Sequence, residues 1–110
     1  LAIMMMNERA SVTTCNSKTK DIKEKCLQAD IIVTGVGRKD LLRGDMVSKD
    51  VIVIDTGVAF ENGKMFGDIN MEEVSMKASY VTPTPGGVGP IKVARLLLNT
   101  AICAEKINSK

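Results

Sequence analysis

A chain of 110 residues with 45% hydrophobic and 25% charged side chains has the composition of one globular domain with a modest core, which excludes disorder. Fifteen basic against thirteen acidic residues leave a formal charge of +2, and 3% aromatic content offers no stacking platform, so nucleic acid is not an expected partner. Three widely spaced cysteines (Cys15, Cys26 and Cys103) and no histidine fit neither a disulfide framework nor a zinc centre, and point to the reduced cytoplasm.

The chain starts "LAIMMMNERA", with its apolar run before its charges, the reverse of a signal peptide. That run is far short of the roughly 20 residues that cross a bilayer, so no membrane partner is expected. Its methionines favour helix and fill irregular core gaps, which predicts the last turns of a core helix whose beginning is missing. "SVTTC", residues 11–15, is short and β-branched and predicts a strand. "KDIKEKCLQ", residues 20–28, places Ile22, Cys26 and Leu27 at helical spacing among charges. The runs "ADIIVTGVG" (29–37) and "VIVIDTGV" (51–58) lack polar alternation and predict strands buried on both faces of a parallel sheet. Between them "LLRGDMVSKD" predicts a loop with at most a helical turn. "AFENGKMFGDIN" carries an Asn-Gly turn signal, "MEEVSMKAS" (71–79) predicts a short helix, "YVTPTP" a last strand, and residues 90–106 a final helix. Cys26 and Cys103 fall at core spacing in their helices. This alternation gives an α/β fold with a parallel sheet and flanking helices, in one domain over residues 1–110.

Ligands of open parallel sheets lie beyond the carboxyl ends of the strands. Four such ends are small, polar or glycine-rich: Cys15 to Thr19, Thr34 to Gly37, Asp55 to Val58, and Pro85 to Gly89. In the last, "PTPGGVGPIKVARLLLNT", two prolines and three glycines fall in the seven residues 83–89, before a helical pattern that opens on Pro90. That is more than a chain reversal needs. Either a ligand approaches this backbone and meets the free N–H groups of a helix start, with Pro90 at its first position, or the segment is a stiff crossover that positions the helix. The stretch lacks GK[ST], and "GVG" at 35–37 lacks the third glycine of a dinucleotide fingerprint. The end of the "SVTTC" strand has no acidic residue for an NAD ribose and offers Ser17, Lys18 and Thr19, which suit a phosphate or, equally, an ST-turn or helix cap.

These motifs, in this order, resemble the methylenetetrahydrofolate dehydrogenase/cyclohydrolase family. "TPTPGGVGPIKVARLLLNT" is similar to its PGGVGPMT signature, "ASVTTCNSKTKDI" to a strand ending CHSxT, "ADIIVTGVGRKDLLRGDMV" to ADIVVxAVGxPxxxxGDMV, and "VIVIDTGVAFENGKMFGDI" to VVIDVGINxxxGKxxGDV. The resemblance implies a Rossmann-like domain that places NADP against a folate substrate, in a homodimer. It implies that Ser17, with Lys18 and Thr19 beside it, meets the 2′-phosphate of the cofactor. Val36, Gly37, Gly57 and Val58 would lie along the cofactor, with Val58 near the nicotinamide. Pro85, Gly86, Gly87, Val88 and Gly89 would contact the folate.

The sequence departs from the family at Asn16, Ala59 and Lys92, which stand where histidine, asparagine and threonine are usual. Lys92 would add a charge beside the ligand loop or point to solvent. The family's catalytic lysine belongs to an amino-terminal folate domain, and its first Rossmann strand and GRSxxVGxP loop also have no counterpart here. No residue of the chain is expected to act as catalytic acid, base or nucleophile, Asp55 and Asp68 included, and the chain alone is expected to be inactive. The alternative is a non-catalytic module that keeps the fold to bind a nucleotide or a protein. The missing first strand would lie between the strands ending at Cys15 and Gly37. "SVTTC" is then expected to move over and pair, to detach, or to leave a gap that another chain fills.

Overall fold

The computed structural model of the chain describes residues 1–109. Its elements run α1 (Ala2–Asn7), α2 (Ile22–Leu27), β1 (Ile31–Thr34), a 3-10 turn (Gly44–Met46), β2 (Ile52–Asp55), β3 (Ala59–Glu61), β4 (Lys64–Phe66), α3 (Met71–Ser75), β5 (Tyr80–Val81) and α4 (Val88–Asn108). The β-branched runs form a parallel sheet in the order β1-β2-β5, with Ile31 beside Ile52 and Ile52 beside Tyr80. Beyond β5, Thr82 continues the pairing: its N–H donates to the Val53 carbonyl, and its hydroxyl accepts from the Asp55 N–H at 2.8 Å. The fold is the expected Rossmann-like α/β arrangement of parallel strands and helices.

Only one face of this sheet is covered, which corrects the expectation of strands buried on both. Ile32, Thr34, Val53 and Asp55 point inward, whereas Ile31 and Val33 are more than 40% exposed. The reason is the placement of the helices. Val74 of α3, Cys26 of α2 and Met46 of the 3-10 turn pack with Leu42, Val47, Val51, Val53 and Ile69 on one side. α1 and α4 bury none of their residues, so among the described residues no helical layer closes the other side.

The 3-10 turn is tied to α3 by two bonds. The Gly44 N–H donates to Glu73 Oε2 at 2.9 Å, and Lys77 Nζ donates to the Gly44 carbonyl at 2.8 Å. Asn70 caps α3 by accepting the Glu73 N–H. β3 and β4 form the antiparallel hairpin that Asn-Gly announces: Asn62 and Gly63 both have positive φ, as a type I′ turn requires.

Four further expectations are revised. Residues 11–15 form no strand and are largely exposed; of the outcomes foreseen for "SVTTC", pairing with β1 is not what the structure takes, and its backbone joins no ladder. α1 is a helix but not a core helix, with Leu1, Ile3 and Met4 all near 70% exposed. Cys103 is exposed on α4, a helix none of whose described residues is buried. α4 starts at Val88, which puts Pro90 at its third position; the N–H there would be unpaired in any helix, so proline is still accommodated.

Candidate functional site

Two buried aspartates organise the carboxyl ends of the strands. Asp55, the last residue of β2, is 4% exposed, and Asp68, after the hairpin, is fully buried. Asp55 Oδ1 accepts from the Thr34 hydroxyl at 3.0 Å and the Gly57 N–H at 2.9 Å, while Oδ2 accepts from the Asp68 and Ile69 N–H groups at 2.8 and 3.3 Å. Asp68 in turn accepts three consecutive amides of the turn after β1: Val36 at 2.7 Å, Gly37 at 2.8 Å and Arg38 at 2.8 Å. No buried side-chain polar atom among the described residues lacks a partner. Both carboxylates are thus engaged as acceptors within the fold, Asp55 with four bonds and Asp68 with three.

The glycines around them have packing causes. A Cβ on Gly57 would collide with the Asp68 carboxylate, and one on Gly67 with that of Asp55. Gly37, at φ +78°, lies against the Val58 carbonyl and brings the β1 turn to the β2 end. Thr56 links the same two ends from its hydroxyl to the Thr34 carbonyl at 2.7 Å.

Beside this frame the proline-glycine segment bends back over the end of β2. Thr84-Pro85 is a cis peptide, Gly86 has φ +96°, and a Cβ on Gly87 would strike the Pro83 carbonyl. Gly89 has neither constraint, with nothing within 4 Å of its Cβ position. A cavity of about 380 Å³ opens here, walled by Thr56, Gly57, Val58, Met65 and the segment from Pro83 to Pro90, with Lys92 and Val93 at the edge. A second of about 300 Å³ adjoins it through shared walls at Asp55 and Thr84, and is lined also by Lys39, Phe66 and Gly67. Lys39 donates to Glu61 at 2.7 Å and sits 4.2 Å over the Phe66 ring, and that hydrogen bond raises its pKa.

The structure therefore brings Gly57 and Val58 together with Pro85, Gly86, Gly87, Val88 and Gly89 around one cavity, with Val36 and Gly37 on the neighbouring turn. It does not bring Ser17, Lys18 and Thr19 to either cavity. They lie in an exposed turn in which the Asn16 side chain accepts the Lys18 N–H at 2.9 Å and the Thr19 hydroxyl accepts the Asn16 N–H at 2.8 Å. Lys92 lines the cavity, as the cation among its lining residues, and is also exposed to solvent, so it meets both of its expected positions. The sequence expectation for Asp55 and Asp68 set them aside as catalytic groups and assigned them no framing role. The only local trace of it is a glycine two residues after Asp55 in "DTG" and another just before Asp68 in "GD", each leaving room for the other aspartate's carboxylate. Among the described residues no group of three or more potential ligands could hold a metal ion.

A parallel sheet whose strand ends and glycine loop enclose a cleft defines a dinucleotide-binding domain of the Rossmann type. Residues 1–108 match the tetrahydrofolate dehydrogenase/cyclohydrolase, NAD(P)-binding domain, and the chain belongs to that family. It is 50% identical over 106 residues to the bifunctional protein FolD of Campylobacter jejuni strain RM1221, covering 96% of this chain and 38% of that protein. A crystal structure of the bifunctional FolD enzyme from Campylobacter jejuni superposes with a TM-score of 0.90 at 49% identity, over 96% of this chain and 38% of the other. The Trypanosoma brucei enzyme, crystallised with NADP cofactor and an inhibitor, superposes with a TM-score of 0.84 at 36% identity, over 91% and 37%. The chain thus spans under two fifths of the length of these relatives.

Proposed function

We propose that the chain binds NADP and supplies the cofactor and folate-loop contacts of a methylenetetrahydrofolate dehydrogenase/methenyltetrahydrofolate cyclohydrolase. The observation that carries this reading is the shared cavity at the strand ends, where Gly57 and Val58 face the loop from Pro85 to Gly89. Val36, Gly37, Gly57 and Val58 take the cofactor, and Ser17, Lys18 and Thr19 take its 2′-phosphate from the exposed turn. Pro85, Gly86, Gly87, Val88 and Gly89 contact the folate. Three features support the folate side. Gly89 leaves open space for close approach, the first N–H groups of α4 meet the cavity unpaired by any capping side chain, and Lys92 adds a positive charge there.

What the residues do is bind and orient. NADP supplies the hydride chemistry when bound, and the cleft walls hold donor and acceptor in reacting geometry. Proton transfer is assigned to no residue of this chain, so the 110 residues alone are inactive in both reactions. Partners in this reading are the folate and a second copy of the chain in a homodimer, without nucleic acid or membrane. The setting is the reduced cytoplasm; the three cysteines are free, and no helix among the described residues is long and apolar enough to cross a membrane. Calorimetric titration of the chain with NADP and NAD, with an assay on methylenetetrahydrofolate, tests the proposal. Binding with NADP preferred and no turnover is expected. Absence of dinucleotide binding would sink the cofactor assignment, and turnover by a verified 110-residue protein would sink the assignment of proton transfer.

A further inference from the structure

Three consecutive backbone N–H groups converging on one point make an anion-binding nest, the device with which many loops hold phosphate. The turn Val36-Gly37-Arg38 has this form, but the anion in it is the protein's own. Asp68 fills it with a carboxylate that makes three bonds of 2.7 to 2.8 Å and has no exposure to solvent. The carboxylate cannot leave readily. Gly57 is packed against it, the Asp68 N–H is held by Asp55, and the Asp68 carbonyl accepts the Leu42 N–H at 3.0 Å.

We infer that Asp68 is a positioning residue for cofactor binding, an internal anion that turns these amides inward and leaves the rim of the turn to the uncharged part of the dinucleotide. The inference rests on the NADP reading above. With its N–H groups spent, the turn has carbonyls and the exposed Val36 side chain to offer outward. Those suit hydroxyl, carboxamide and apolar groups, and disfavour phosphate. The phosphates must then be held elsewhere on the protein. Removing the carboxylate would swing the amides free, loosen the seat for the uncharged part, and leave a vacancy that a small carboxylate could refill.

The experiment uses the whole chain, isotopically labelled, with Asp68→Ala alongside. In the wild type, through-hydrogen-bond couplings should join the Asp68 carboxyl carbon to the amides of Val36, Gly37 and Arg38, and titration with inorganic phosphate should leave those amide signals in place. In Asp68→Ala, NADP should bind about tenfold more weakly, as expected for lost charge-assisted bonds, while 2′,5′-ADP, which has no nicotinamide half, holds within about twofold. Formate, compared with chloride at equal ionic strength, should restore both NADP affinity and the amide shifts, a rescue that general loosening of the fold would not show. Missing couplings, amides that move with phosphate, equal losses for the two ligands, or no rescue by formate would each overturn the inference. If Asp68→Ala does not fold, the wild-type couplings and phosphate titration still decide. If the wild type binds no NADP, the cofactor reading fails, and those same two measurements judge the internal anion separately.

Discussion

Val53 on β2 and Leu97 on α4 are both branched aliphatic side chains, yet Val53 has no exposure and Leu97 is 68% exposed. The contrast extends to their surroundings. Around Val53 a sheet face, two short helices and a 3-10 turn share one core, and the strand ends are bound together by Asp55 and Asp68. Around Leu97 a 21-residue helix stands with Ile91, Val93, Leu96 and Leu98 also open to solvent. Apolar side chains stabilise a fold in proportion to the surface they remove from water. One wall of the cleft therefore rests on its own core, while the segment from Pro83 to Gly89 hangs from a helix that adds almost nothing to stability through burial. Mutations of similar chemistry should have opposite consequences in the two regions.

The largest effect is expected at the carboxylates. Asp55→Ala removes four hydrogen bonds from one buried group and leaves the N–H groups of Gly57, Asp68 and Ile69 without their partner. A loss of about 4 kcal/mol is expected, enough to abolish cooperative unfolding in a small domain. Denaturant titration followed by circular dichroism measures it. A change below about 1 kcal/mol would mean that the strand ends are not held in the way these bonds imply.

Next comes the direct comparison of the two aliphatic residues. Val53→Ala should cost about 2 kcal/mol, from lost transfer energy and the cavity it leaves, whereas Leu97→Ala should stay within about 0.5 kcal/mol. The exposed face should announce itself differently: the chain is expected to bind a hydrophobic dye and to associate in sedimentation, and Leu97→Gln to reduce both. Equal destabilisation at the two sites, or a dye-negative monomer, would show that α4 is packed in solution.

A smaller effect tests the exposed turn. Ser17→Asp should lower the preference for NADP over NAD by about fivefold, through like-charge repulsion of the 2′-phosphate at a solvated site. Parallel titrations of the two dinucleotides against both proteins read it out. A wild-type chain that prefers NAD would remove Ser17, Lys18 and Thr19 from the cofactor site.

What was legible in the sequence follows the same division. The parallel strands, the Asn-Gly hairpin and the glycine loop are written in local residue types, and the chain folds as those types require. Whether "SVTTC" pairs, whether "LAIMMM" is buried and whether Cys103 reaches a core depend on neighbours that local pattern does not contain. Helical spacing marks which side of α4 is apolar without saying that something covers it. Of the site, the clustering of Gly57 and Val58 with the loop from Pro85 to Gly89 was readable from the rule for parallel sheets. The framing of that site by Asp55 and Asp68 was not, because all the bonds but that from Gly57 to Asp55 join residues 13 to 32 positions apart and the partners are mostly backbone amides, which every residue carries.

The thiols offer the gentlest test of the same contrast. Cys15 and Cys103 are exposed, while Cys26 is half-buried beside the core, and burial first and the nearby Cys15 second hold its pKa above the ordinary 9.0. The thiolate is the reactive form, so Cys26 should react with iodoacetamide about tenfold more slowly than the other two at mildly alkaline pH. Peptide mapping after timed quenching gives the three rates. The linkage has a definite sign. The unfolded chain releases the Cys26 proton at lower pH than the folded one. The stability tied to the neutral thiol is therefore complete below pH 9.0 and drains away as the pH rises through the raised folded value. Cys26→Ser should flatten that alkaline decline slightly, and Cys103→Ser should leave it unchanged, since α4 has no core to protect. A Cys26 that labels as fast as Cys103 would mean that α2 frays from the sheet, and that the boundary between the two regions lies closer to β1 than the packing of Cys26 places it.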